Sequence, residues 1–470
     1  MRWMSLFLVI SAGVAMAAEK TRPNVVMILA DDLGIGDLGC YSDASKIPTP
    51  NLDKLAASGM RFTDAYCPVS VCSPSRYALM TGGYPWRSWK KRGVLANWDR
   101  PMIGQQQTTL PAMLKQAGYA TGGFGKWHLG ATYPTLDGKA PLGQGAFKAE
   151  RSGANIDIHQ PVTGGPMDRG FDEWNGMICS SELLVVEGRK IAARVSHELY
   201  EPLDIPGIAE LPVLTITELL PVTTKQSVDF IGRRAKEDTP FFLYFAPYVP
   251  HIPLAVREDF RGKTKAGDYG DYVHELDQHI GLLMGALEKA GVRENTLILF
   301  ASDNGSQWET TGEGHRPNGT LRGGKWEISE GGVRTPFIAS WPGKIPAGSQ
   351  SGALIALNDV LATMSGVTGA KLPDRAGPDS LDLSPVLLGK EPAAPIRTEV
   401  MMGASKPDRA LRQMDWKYVK RMGKSQPDAL YDLATDPGEK TNLATAEPER
   451  LRAMAARFNE LMEESQRGAD

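Results

Sequence analysis

Asn24-Val25-Val26-Met27-Ile28-Leu29-Ala30-Asp31-Asp32 is the stretch that decides the fold. Its first seven residues form a nearly continuous apolar run, which is how a strand buried on both faces of a parallel sheet reads. The run ends in two carboxylates. At the end of a buried strand these are costly unless a cation neutralises them. Adjacent strand residues point to opposite faces, so both can serve one cation only where the chain turns, and Gly34 and Gly36 permit a turn.

Further strands are expected over Tyr119 to Phe124, Pro240 to Ala246, Thr296 to Ala301 and Val333 to Ser340. Helices are expected over Asn51 to Ser58, Thr109 to Gln116, Thr224 to Lys236 and Asp271 to Ala290. This alternation predicts an α/β fold: a large mixed, mostly parallel sheet flanked by helices. Residues 131–222 are loop-rich and read as insertions over a cleft with a small amount of sheet. Beyond about residue 395 the pattern changes. Gln413 to Lys420 alternates, with Met414, Trp416 and Tyr418 on one side, and Glu447 to Glu464 reads as a terminal helix. A smaller C-terminal antiparallel-sheet subdomain over 395–470 follows, after a main domain over 19–394.

Residues 1–18 have the pattern of an export signal. Arg2 supplies charge, Trp3 to Val14 an apolar stretch, and Ala15-Met16-Ala17 a small-residue cleavage site. The mature protein is therefore expected in a periplasm or outside the cell, with no stable membrane insertion. The 470 residues carry a formal net charge of -3, which gives no argument for a nucleic-acid partner. Cys40, Cys67, Cys72 and Cys179 are too few for a disulfide scaffold, and their pairing is not readable from sequence.

The chemistry gathers at expected strand ends, where open parallel sheets bind ligands. Asp303 and Asn304 follow one strand as Asp31 and Asp32 follow another. Four oxygen-bearing side chains favour a hard cation, calcium or magnesium, over zinc. Lys126 and His128 lie in GKWHLG after the strand ending at Phe124, and His251 follows PFFLYFAPYVP. Lys325 lies in LRGGKWEISEGGVRTPF, whose glycine pairs allow close backbone approach. A second stretch, CSPSRYALMTG from Cys72 to Gly82, reads as a helix with Cys72 and Arg76 on one face near its N-terminus, a place for an anion. Trp86 to Trp98 interleaves tryptophans with basic residues. It reads either as a basic turn with tryptophans packed beneath it or as a wall of the cleft.

Taken together, CSPSR, the two acidic pairs, GKWHLG, GGK followed by EGG, WKYV at 416–419 and LYDLATDPGEKTNLA at 430–444 resemble the type I, formylglycine-dependent sulfatases of the alkaline phosphatase superfamily. The resemblance implies that a maturation enzyme oxidises Cys72 to formylglycine, whose hydrate attacks sulfur while Arg76 holds it. It implies that Asp31, Asp32, Asp303, Asn304 and residue 72 bind a metal, calcium ahead of magnesium. Lys126 and Lys325 would bind sulfate oxygens, His128 would act as a base and His251 would protonate the leaving group. Three cationic and three anionic side chains plus a divalent cation leave room for an anionic ester. The expected activity is release of sulfate from a sulfated small molecule or glycan, with a saccharide favoured. A phosphate or phosphonate ester hydrolase and an inactive exported carbohydrate-binding protein are the alternatives.

Overall fold

The structure, a computed structural model, describes residues 22–196, 203–423 and 426–466; the stretch read as an export signal lies outside them. Eleven strands among the described residues form one mixed sheet. At its centre five neighbours run parallel: Thr296–Ser302, Asn24–Ala30, Phe241–Ala246, Ala120–Lys126 and Glu173–Met177. Asn24–Ala30 lies in the middle with every residue buried. Its side chains alternate between two cores. Val25, Met27 and Leu29 face the helices Cys72–Thr81, Leu110–Gln116 and Asp359–Thr368, whereas Val26, Ile28 and Ala30 face Pro50–Ala57, Leu219–Arg234 and Gly267–Lys289. Burial on both faces explains the unbroken apolar run.

One expectation changes in detail. Val333 to Ser340 is not one strand. Glu330–Val333 is a helical turn, and the strand is Phe337–Ser340, which follows Pro336 and runs antiparallel to Thr296–Ser302. The turn is forced by packing: a side chain at Gly331 would meet Gly323 O at 2.2 Å. The small amount of sheet expected in 131–222 is present, and its place is now defined: Leu184–Glu187, Lys190–Ser196 and Val213–Thr215 lengthen the main sheet beyond Glu173–Met177.

The C-terminal sheet is an antiparallel meander of Glu399–Gly403, Arg409–Gln413, Trp416–Lys420 and Ala429–Asp432, with the helix Pro448–Gln466 packed on it. The alternation expected from Gln413 begins at Trp416, because Met414 sits in the hairpin turn with φ of 50°. This sheet is joined to the main body in two ways. Gly403 N–H donates to Pro68 O at 2.8 Å, and Ser70 N–H donates to Gly403 O at 3.2 Å, just before Cys72. Lys417 reaches into the main domain, with Nζ 2.8 Å from Glu330 Oε1 and 2.9 Å from Glu439 Oε1, all three side chains buried. Buried charges of this kind persist only when each has its partner.

Candidate active site

Four adjacent parallel strands deliver the site at their carboxyl ends. Asp31 and Asp32 follow Ala30, Asp303 and Asn304 follow Ser302, Lys126 ends its own strand, and His251 lies in the loop after Ala246. The strand Asn24–Ala30 pairs in register with Thr296–Ser302, Ala30 opposite Ser302, so the two acidic pairs are level. The turn that aims Asp31 and Asp32 together is made by Asp32 itself, which adopts φ of 69°. Gly34 and Gly36 serve close approach instead: a side chain at either would meet Pro317 O at 2.1 Å or Arg316 O at 2.4 Å.

Cys72 opens the helix Cys72–Thr81, which Gly82 ends in the left-handed conformation at φ of 66°. Ligating atoms of Asp31, Asp32, Cys72 and His251 lie within 4.8 Å of one another. Arg76, on the same helix face, is fully buried. Its Nε and an Nη sit 2.9 and 2.8 Å from Asp303 Oδ2, and the other Nη donates to Lys126 O at 2.8 Å. Lys126 Nζ lies 2.6 Å from Asp31 Oδ2, and Lys325 Nζ lies 2.6 Å from Asp32 Oδ2. Each carboxylate thus faces its own cation, and the charge balance expected from the sequence is realised pair by pair.

Burial alone would raise the Asp31 carboxyl, but Lys126, His251, Arg76 and Lys325 outweigh it and hold it well below the usual range. Burial pushes the Cys72 thiol up to about 12, so the unmodified side chain is a protonated thiol and a poor nucleophile at neutral pH. His128 adopts φ of 56°, just past the strand end. Its Nε2–H donates to Leu95 O at 3.1 Å, which leaves Nδ1 buried without a hydrogen-bond partner. Burial and Lys126 hold its pKa well below the ordinary value, so the ring is neutral and Nδ1 offers a lone pair. His251 donates Nδ1–H to Ile252 O at 2.6 Å and lies tilted against the Tyr248 ring, with Nε2 3.8 Å from Asp32 Oδ2. Burial, Lys126 and Lys325 push its pKa down to about 4.

The donor set fits a hard cation. Asp31 Oδ1 and Asn304 Oδ1 are buried acceptors that receive no hydrogen bond. Asn304 Nδ2 donates to Asp32 Oδ1 at 2.7 Å, which fixes the amide beside the carboxylate pair. All four expected oxygen-bearing residues therefore converge, and all are buried.

The tryptophan-rich stretch divides. Trp86 is buried, stacked on Tyr84 and bonded to Ser465 Oγ at 2.9 Å; Trp98 is buried as well. Trp89 lines a groove with Thr81, at the far end of the helix from Cys72. Only Leu95 reaches the site, through its carbonyl to His128, while its N–H is held by Ser73 Oγ at 3.0 Å. Sequence reasoning missed Leu95, because a backbone carbonyl carries no residue-type signal. The four cysteines are free thiols.

Comparison with known proteins agrees with this geometry. The family model described as Sulfatase matches residues 23–370. The chain is 36% identical to human arylsulfatase A, covering 96% of this chain and 89% of that protein. It is 32% identical to an N-acetylgalactosamine-6-O-sulfatase of Bacteroides thetaiotaomicron, with 93% and 92% covered. A structure from Bacteroides thetaiotaomicron, solved in work on glycosaminoglycan metabolism, superposes with a TM-score of 0.81 at 29% identity, covering 94% of this chain and 99% of that one. The chain thus belongs to the sulfatase family, and is a sulfuric ester hydrolase of its formylglycine-dependent, type I branch that acts on sulfated substrates.

Proposed function

We propose that residue 72 works as formylglycine, that Asp31, Asp32, Asp303 and Asn304 hold a calcium ion, with magnesium the weaker fit, and that the substrate is a sulfated saccharide. The observation that carries the reading is the convergence of two acidic strand ends on the N-terminal turn of the helix bearing Cys72 and Arg76. When bound, the cation supplies the positive charge that offsets the carboxylates and steadies residue 72.

The remaining chemistry belongs to the chain's own side chains. Arg76, one turn along the helix from residue 72, ties that helix to Asp303 and to the Lys126 carbonyl and so positions residue 72. Lys126 and Lys325 present ammonium groups to sulfate oxygens. His128 takes a proton at Nδ1 from the hydroxyl that remains on residue 72, which lets sulfate leave and the aldehyde re-form. His251 gives a proton to the departing alcohol from Nε2, since its Nδ1–H is committed to Ile252 O. That role needs the imidazolium, and the negative charge of a bound ester favours it.

The saccharide reading rests on the names of the relatives, one acting on N-acetylgalactosamine 6-sulfate and one solved in a glycosaminoglycan setting. Export to a periplasm or beyond, an encounter with a maturation enzyme, and a boundary near residue 395, ahead of the second sheet's first strand, complete the proposal. The test is intact mass followed by turnover. Protein from its native host should be lighter by about 18 Da, the change from thiol to aldehyde. It should release sulfate from sulfated glycans and cleave an aryl sulfate faster than the matched aryl phosphate. An unmodified Cys72 in active enzyme, or higher kcat/KM for the phosphate, would overturn it.

A further inference from the structure

Next to Lys325 stands a residue that the sulfatase reaction does not require. Trp326 adopts φ of 77°, a left-handed conformation that a bulky side chain rarely takes and that costs stability. It is held there from both sides, since Lys325 N–H donates to Ser306 O at 3.0 Å and Trp326 N–H donates to Ser70 O at 2.9 Å. The indole gains only partial burial in return, being 42% exposed. Its ring centroid lies 4.8 Å from Lys325 Nζ, and that ammonium is itself buried against Asp32. The indole therefore stands at the border between the Lys325 ammonium and solvent.

Trp326 also lines a cleft of about 360 Å³ between the main domain and the C-terminal sheet. Arg322, Lys406 and Arg421 bring three positive charges to it, against Glu327 and Asp408. Arg322 is paired with Glu439 at 3.3 Å and Arg421 with Asp408 at 2.8 Å. Lys406 is exposed and has no ion pair among the described residues. An aromatic face and an unspent cation in one cleft suit a pyranose ring that carries an anionic group.

We infer that Trp326 and Lys406 form a leaving-group subsite. The indole stacks on a sugar ring beyond the scissile sulfate, and Lys406 pairs with a second negative group on the saccharide. The inference rests on the saccharide reading above. It makes the enzyme selective for sulfated sugars linked to an acidic neighbour over isolated sulfated monosaccharides.

The test uses three substrates: nitrophenyl sulfate, a 6-sulfated N-acetylgalactosamine linked to a uronic acid, and the same disaccharide with the uronate carboxyl reduced. The native enzyme should favour the charged disaccharide over the reduced one by about fivefold in kcat/KM, the scale of one exposed ion pair. Lys406→Ala should remove that preference. Trp326→Ala should raise KM for both disaccharides about tenfold more than for nitrophenyl sulfate, and Trp326→Phe should restore most of the loss. Trp326→Gly should raise Tm while weakening the disaccharides, because glycine accepts the positive φ without strain. A charge preference that survives Lys406→Ala, or Trp326→Ala losses equal on all three substrates, would overturn the subsite alone. Hydrolysis of nitrophenyl sulfate with no release from either disaccharide would overturn the saccharide reading and the subsite together.

Discussion

Replacing Glu182 by Gln should make stability less dependent on pH and should stabilise the enzyme in mild alkali. Glu182 is buried beneath the loop that carries Leu95. It accepts a hydrogen bond from Trp98 N–H at 2.7 Å and another from the Tyr133 hydroxyl. Burial pushes its carboxyl up from 4.5 to about 8, against the lowering effect of those two bonds. The sign follows from proton counting. Between these values the folded chain holds a proton that the unfolded chain has released, so stability is lost as pH rises through this window. The slope is about 1.4 kcal/mol per pH unit, so between about pH 5 and pH 8 the native fold loses roughly 4 kcal/mol through this one group. Glutamine mimics the neutral acid and has no proton to lose. Urea unfolding of native and Glu182→Gln enzyme at matched pH values isolates the effect, because every other titration cancels in the difference. The two should be nearly equal at about pH 5, and the variant should be the more stable at about pH 8. A difference that is flat with pH would refute the reasoning and mean that the two hydrogen bonds keep Glu182 ionised.

Three further outcomes follow from the site. Arg76→Lys keeps a charge but cannot reach Asp303 and the Lys126 carbonyl with a planar fork; kcat should fall by about 100-fold or more, and unchanged kcat would remove Arg76 from the site. Cys72→Ser offers one hydroxyl and cannot re-form an aldehyde, so it should give at most one slow turnover and a product heavier by about 80 Da, whereas rapid multiple turnover would exclude His128 as the eliminating base. His251→Ala should lose far more activity on alkyl and sugar sulfates than on nitrophenyl sulfate, whose leaving group needs little protonation; equal losses would argue against His251 as donor.

The apolar run from Asn24 to Ala30 was legible because a strand buried on both faces has no solvent side to interrupt it. The site was legible for a related reason: charged residues placed directly after such strands have few uses other than binding. Asp31, Asp32, Asp303, Asn304, Lys126 and His251 converge as their positions implied. What escaped the sequence depended on backbone rather than on residue type. The left-handed turns at Asp32, His128 and Trp326 carry no glycine to announce them, and the Leu95 carbonyl that fixes the His128 tautomer is an atom every residue owns. Val333 to Ser340 misled because its β-branched residues suit a strand, while the close approach of Gly331 and Gly332 to the preceding loop at 322–327 turns the chain first. For the tryptophans the packed alternative holds at Trp86 and Trp98, while Trp89 is exposed; spacing alone does not say which indole faces solvent.

The pairing of Gly403 with Pro68 and Ser70 has a consequence in time. The chain that leads into Cys72 is clamped by a residue that leaves the ribosome roughly tens of seconds later, at ordinary rates of synthesis. Lys417, which neutralises Glu330 and Glu439, arrives later still. In the finished fold Cys72 is 1% exposed. A maturation enzyme of the kind proposed above would therefore have to meet this thiol before the last strands dock. Placing the clamp near the C-terminus lengthens the interval in which the Cys72 segment stays undocked.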